Sequence, residues 1–196
     1  MVPKAWCKHS AAASRGRLWA VAGVFALATA LGGCGSSGLV SGPLGPVQVT
    51  GHECVTHLDN GVVTDGWPHL RNTTHTVAVI DKVALVNPHL LQLITTWAVP
   101  ITGTTLYGAE PGYPPGTLNL PGFQWGERHT AEGATVRYTS QRTQVTNLLF
   151  VIRLLGQRGY ATGVHVWYHI GTQHYLYSTP FGLIAMNGAK GSCTKY

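Results

Sequence analysis

Chain breakers set the strongest limit on what this sequence can build. Gly occurs 25 times and Pro 11 times in 196 residues, which argues against a coiled coil or a bundle of long helices. Between the breaks lie short, β-branched apolar runs. Thr76-Val-Ala-Val-Ile80 and Val83-Ala-Leu-Val86 are two of them, with Asp81-Lys82 between. Asn87-Pro88-His89 reads as a turn. In Leu91–Val99 the period of two puts Leu91, Leu93, Thr95, Trp97 and Val99 on one strand face, with Pro100 closing the run.

From Ile101 to Gly133 the chain is rich in Pro and Gly, a long loop of the kind that is functional or mobile in compact domains. Its Tyr107, Tyr113, Phe123 and Trp125 either form an exposed binding edge or fold down over a sandwich end. The second is favoured, since exposed apolar patches are uncommon in monomers. Asn147–Leu155 is apolar throughout; its length and Gly156 favour strand over helix. Gly163–Ile170 and His174–Ser178 flank Gly171-Thr-Gln173 as a hairpin, and Phe181–Met186 is a further strand after Pro180. Several short strands separated by turn signals predict an all-β antiparallel β-sandwich.

The first 33 residues are of another kind. Lys4, Lys8, Arg15 and Arg17 precede Leu18–Leu31, fourteen residues without a charge. That is short of the ~20 a bilayer crossing needs, and it fits the basic, apolar and small-residue regions of a secretory signal. Leu31-Gly32-Gly33-Cys34 follows and resembles the lipobox of bacterial lipoproteins. The resemblance implies a diacylglyceryl group on the Cys34 thiol and cleavage that leaves Cys34 as the new N-terminus. The competing readings are an ordinary signal peptide with a chance cysteine, or an uncleaved anchor. Two or more acyl chains hold a protein on a membrane stably, so the expected location is the extracytoplasmic face of the cell membrane, lipid-anchored. Gly35–Pro46 reads as a tether of roughly 20 Å reach. The organisation expected is signal 1–33, lipidated cysteine and tether 34–46, and β-sandwich 47–196. Within the sandwich, Val83–Val99 and Asn147–Met186 resemble an immunoglobulin-like module of actinobacterial lipoproteins. That implies an immunoglobulin-like fold and supplies no active residues.

Losing residues 1–33 removes four of the 13 basic residues and none of the seven acidic ones, so net charge falls from +6 to +2. The remaining Lys and Arg are scattered, with no stripe of the kind nucleic-acid binders carry. No nucleic-acid partner is expected; beyond the membrane itself, an envelope protein or a glycan is.

Cys54 and Cys193 remain after Cys7 leaves with the signal and Cys34 takes lipid. In an exported protein such a pair is most simply a disulfide. Two free buried thiols are the alternative, and no metal-ligand spacing surrounds either residue. Nine histidines remain in the mature chain. His165 and His169 stand four apart, metal spacing on a helix but roughly 13 Å on a strand. His169 and His174 face each other across the hairpin at about 5 Å between Cβ atoms. His165, His169 and His174 are therefore the metal candidates, on an outer face shared with Trp167. A plain polar face is favoured over a site, because two histidines alone rarely make one. His52, Glu53 and His57 around Cys54 form a weaker group, and the Cys-His-Met clustering of a copper site is absent. Asn72-Thr73-Thr74 has the pattern of a glycosylation acceptor. No G-x-S-x-G, H-E-x-x-H or P-loop occurs, and the alternation of helix and strand that two-lobed solute binders require is missing. The sequence reads as a binding or structural module without a cofactor and without enzyme activity; the alternative is an envelope metal-binding protein.

Overall fold

The computed structural model describes residues 42–46, 51–58, 60–103, 107–141, 144–188 and 193. The signal region, Cys34 and most of the expected tether lie outside them. In chain order the strands are β1 (Leu44–Pro46), β2 (Gly51–Thr56), β3 (Val62–Asp65), β4 (His69–Asn72) and β5 (Ala78–Val86). Then come β6 (Leu91–Thr102), β7 (Ala109–Pro111), β8 (His129–Thr130) and β9 (Thr135–Val136). The last five are β10 (Gln144–Leu154), β11 (Arg158–Ala161), β12 (Gly163–Ile170), β13 (Gln173–Thr179) and β14 (Phe181–Met186). A 3-10 turn spans Trp125–Glu127. Among the described residues there is no α-helix, so the domain is an all-β sandwich.

One sheet of seven strands runs β1-β4-β10-β3-β7, with β6 on the other edge of β10 and β8 beyond it. A four-stranded sheet (β13-β12-β5-β9) and a three-stranded sheet (β11-β14-β2) complete the fold. The pairings between strands are antiparallel except β2 with β14, which is parallel. Phe150 and Ile152 of the large sheet, Ile80, Val166 and Tyr168 of the second, and Val55 and Leu183 of the third share one core.

β10 lies at the centre, and its unbroken apolar run follows from burial on both faces. Leu148, Phe150, Ile152 and Leu154 point into the shared core. Val145 and Leu149 point to the other side, where they meet Val99, Ile101, Tyr107 and Phe123. The loop after β6 thus folds down, as favoured, but it covers the outer face of β6 and β10 rather than an end of the sandwich. Tyr107 and Phe123 stack at 5.4 Å, and the Arg128 guanidinium lies over both Trp97 and Trp125. Tyr113 stays exposed.

Three expectations change. β6 runs on through Pro100 to Thr102, and its residues do not share one face. The register with β10 skips Ile94, a bulge that reverses the alternation, so Leu91 and Leu93 enter the shared core while Trp97 and Val99 join the second cluster. Residues 42–46, grouped with the tether for their Gly and Pro, belong to the fold: β1 pairs with β4. Buried Leu44 also donates its N–H to the Tyr168 hydroxyl at 3.1 Å. Finally, the two runs on either side of Asp81-Lys82 form one strand, β5, with a bulge between them.

Cys54 and Cys193 are bonded, their Cα atoms 5.8 Å apart and 139 residues apart in sequence. Closing a loop that long is worth about 5 kcal/mol on the chain-entropy account. It ties the chain's end to β2, which already pairs with β14.

Candidate functional site

The hairpin β12–β13 turns on Gly171-Thr172, with Gly171 at φ 60°, the left-handed conformation glycine adopts without strain. The turn sets the register, and His169 sits directly opposite His174. The neighbour on the other side of β12 is β5, where Trp167 pairs with Lys82 and Tyr168 with Ile80, leaving Asp81 as the extra residue. Two consecutive side chains, Asp81 and Lys82, are therefore outward, while Ile80 and Val83 on either side are buried. A regular strand would have turned one of the two inward.

The bulge aims the Asp81 carboxylate at the paired imidazoles. Its Oδ1 is 2.6 Å from His169 Nδ1 and its Oδ2 is 3.3 Å from His174 Nδ1. Asp81 and His169 are about one-third exposed and His174 is 65% exposed. Lys82 does not compete for the carboxylate, because its ammonium lies over the Trp167 ring, 5.3 Å from the centroid. His165 stands apart from this group, edge-on to Trp167 and opposite Ser178. Among the described residues, Asp81, His169 and His174 are the one set of three His, Cys, Asp or Glu ligand atoms within 4.8 Å of one another; His52, Glu53 and His57 do not form such a set.

A second polar cluster lies inside. β3 and β4 pair with the same edge of β10, β3 along Phe150–Arg153 and β4 at Thr146 and Asn147. Gly66-Trp67-Pro68 breaks the ladder between them. Backbone groups stranded in an interior are costly, and buried side chains supply partners here. Asp65 Oδ1 accepts the Trp67 N–H at 3.2 Å. Asn147 Nδ2 donates to the carbonyls of Gly66 and Pro68. Trp67 itself turns to stack on Phe181, ring centroids 4.5 Å apart.

Burial governs protonation in this cluster. Desolvation pushes Asp65 from 3.8 up to about 7, helped by the negative charge of Glu53 and only partly opposed by the Trp67 N–H. Glu53 is raised as well, chiefly by its own burial. Tyr107 is pushed up by burial and then by Glu110, Asp65 and Glu53. His69 is driven down from 6.5 to about 4 by burial, and its Nε2 has no hydrogen-bond partner among the described residues. Asp65, His69 and Tyr107 are at most 5% exposed. Raised carboxyl groups beside a tyrosine are the makings of acid–base chemistry; of these groups Asp65 and Tyr107 are closed off from solvent, whereas Glu53 is partly exposed.

Asn72, the first residue of the Asn-Thr-Thr triplet, is fully buried. Its Nδ2 donates to the carbonyls of Thr76 (2.6 Å) and Val136 (2.8 Å), and its Oδ1 accepts from the Thr74 backbone and hydroxyl, both at 2.9 Å. The amide that a glycan would modify is committed to holding a turn.

An open groove of about 500 Å³ lies beside β6, β8, β9 and β10, with Glu127, His129, Arg137, Tyr138 and Gln144 on its walls. Its size is that of small-ligand sites. No protein-family model matches the chain, and no curated protein matches it in sequence.

Proposed function

We propose that this protein is a lipid-anchored module of a bacterial cell envelope, held at the extracytoplasmic face through Cys34, which binds or braces rather than catalyses. The observation that carries the reading is the Cys54–Cys193 bond. Disulfides persist in oxidising, exported compartments and are rare in the cytosol. The basic leader, the short apolar stretch and Leu31-Gly-Gly-Cys34 supply the route and the anchor. The sandwich is taken as immunoglobulin-like on the resemblance carried by residues 83–99 and 147–186.

The anchor and the fold are close together in the chain. From Cys34 to Gly42 even a fully extended chain spans at most about 28 Å. A lipidated Cys34 therefore keeps the domain within roughly its own diameter of the membrane surface. The groove walled by Glu127, His129 and Arg137 is the place where an envelope ligand would be held. Labelling cells with a radioactive fatty acid tests the reading. Label enters the wild-type chain and not Cys34→Ala; label in the Cys34→Ala protein refutes it. A second reading, an envelope metal-binding protein, is favoured by the convergence of Asp81 on His169 and His174.

A further inference from the structure

We propose that Asp81, His169 and His174 bind one divalent transition-metal ion of the zinc class. This develops the second reading above and does not depend on the lipid anchor. The donor set is two imidazole nitrogens and one carboxylate oxygen. Imidazole with carboxylate suits zinc, cobalt, nickel and cupric ions, whereas calcium and magnesium take oxygen alone.

The geometry is close to what such an ion needs. Ligand atoms 2.0–2.1 Å from a tetrahedral ion stand about 3.3 Å from one another. The contact from Asp81 Oδ2 to His174 Nδ1 is 3.3 Å already, and all three ligand atoms fall within 4.8 Å. The 2.6 Å contact from His169 Nδ1 to Asp81 is a hydrogen bond that lengthens when the ion takes the place of the proton. Each ligand sits on a strand: two are fixed by hairpin register and the third by the bulge in β5. Three protein ligands leave the fourth position to water or to a ligand atom from outside, the arrangement of an open site rather than a closed structural one. The exposure of His174 gives the ion direct access.

The same atoms would form hydrogen bonds without any ion, so the experiment has to separate the two cases. The full chain, purified with a histidine-free tag, is titrated with Zn²⁺ against a chromophoric chelator. The visible spectrum with Co²⁺ is taken as a readout of coordination. The expected result is one zinc per chain and a four-coordinate cobalt spectrum. Loss of a ligand in His169→Ala, His174→Ala or Asp81→Asn weakens binding by at least the roughly tenfold that loss of an outer-shell partner costs. His165→Ala leaves it unchanged. Metal-free thermal unfolding checks that each variant folds, and His174→Ala, at a highly exposed position, is the variant least able to disturb folding. Absence of saturable binding overturns the proposal. So does stoichiometric zinc whose affinity ignores the three ligand substitutions, because the ion would then sit on other histidines.

Discussion

Asp65→Asn should stabilise this protein in a way that depends on pH. Asp65 titrates at about 7 in the folded chain, against 3.8 for an ordinary aspartate, chiefly because it is buried. Below 3.8 the carboxyl is protonated in both states and its burial costs nothing extra. As pH rises from 3.8 to about 7, the unfolded chain sheds a proton that the folded chain retains, so stability is lost across that window. Each pH unit is worth about 1.4 kcal/mol, and the full loss is roughly 4 kcal/mol. His69 works in the opposite sense. Its folded value of about 4 lies below the usual 6.5, so stability is intact above 6.5 and lost as pH falls towards 4, by roughly 3 kcal/mol. Between about pH 4 and 6.5 the two contributions nearly cancel in the wild type. The amide introduced by Asp65→Asn still accepts the Trp67 N–H but does not titrate, so the variant loses the Asp65 slope and keeps those of His69 and of the raised Glu53. Urea unfolding followed by tryptophan fluorescence at several pH values measures this. The gap between Asp65→Asn and wild type should widen by roughly 4 kcal/mol from about pH 4 to about pH 8. A gap that stays constant over that range would refute the argument, because the carboxylate would then be ionised in the folded protein.

Three further outcomes are expected from the same kind of measurement. Asn72→Ala removes four hydrogen bonds and leaves the buried Val136 carbonyl without its donor; it should destabilise by about 3 kcal/mol, read as a lower urea midpoint. Gly163→Ala would drive a Cβ into the Thr179 carbonyl oxygen, and such overpacking should cost about 2–3 kcal/mol. Gly126→Ala, with nothing within 4 Å of the new Cβ, should stay within about 0.5 kcal/mol of wild type.

Where side-chain alternation and turn chemistry agree, the fold can be read directly from the residues. β12, β13 and β14 are the clearest cases, since Gly171 fixes the turn and Val164, Val166 and Tyr168 alternate with His165, Trp167 and His169. The opposition of His169 and His174 followed from that register. Asp81 did not, because two adjacent polar residues between apolar runs look like a break. A bulge is a property of the pairing, and nothing in the side chains announces it. The bulge at Ile94 was hidden in the same way: one skipped residue sends Trp97 and Val99 to a different cluster. β1 is a short Leu-Gly-Pro segment and β3 and β4 are short and partly polar, and they are strands only because β10 and its neighbours offer an edge to pair with. The interior polar groups follow from this. Asp65 and Asn147 are buried to repair the interruption at Gly66-Trp67-Pro68, and only the three-dimensional path of the chain creates that need. The Trp-Pro dipeptide, which cannot continue a ladder, was the one local sign of it. Only 10% of the residues are charged, which suits a domain in which both faces of β10 are covered.

The proposed function requires an exported, lipid-bearing chain, and the N-terminus is where that is decided. Mass spectrometry of the N-terminal peptide from the protein made in its own cells should find a chain that begins at Cys34 and carries a thioether-linked diacylglyceryl group. A mature chain that starts elsewhere, or begins at Cys34 with a free thiol, would contradict it.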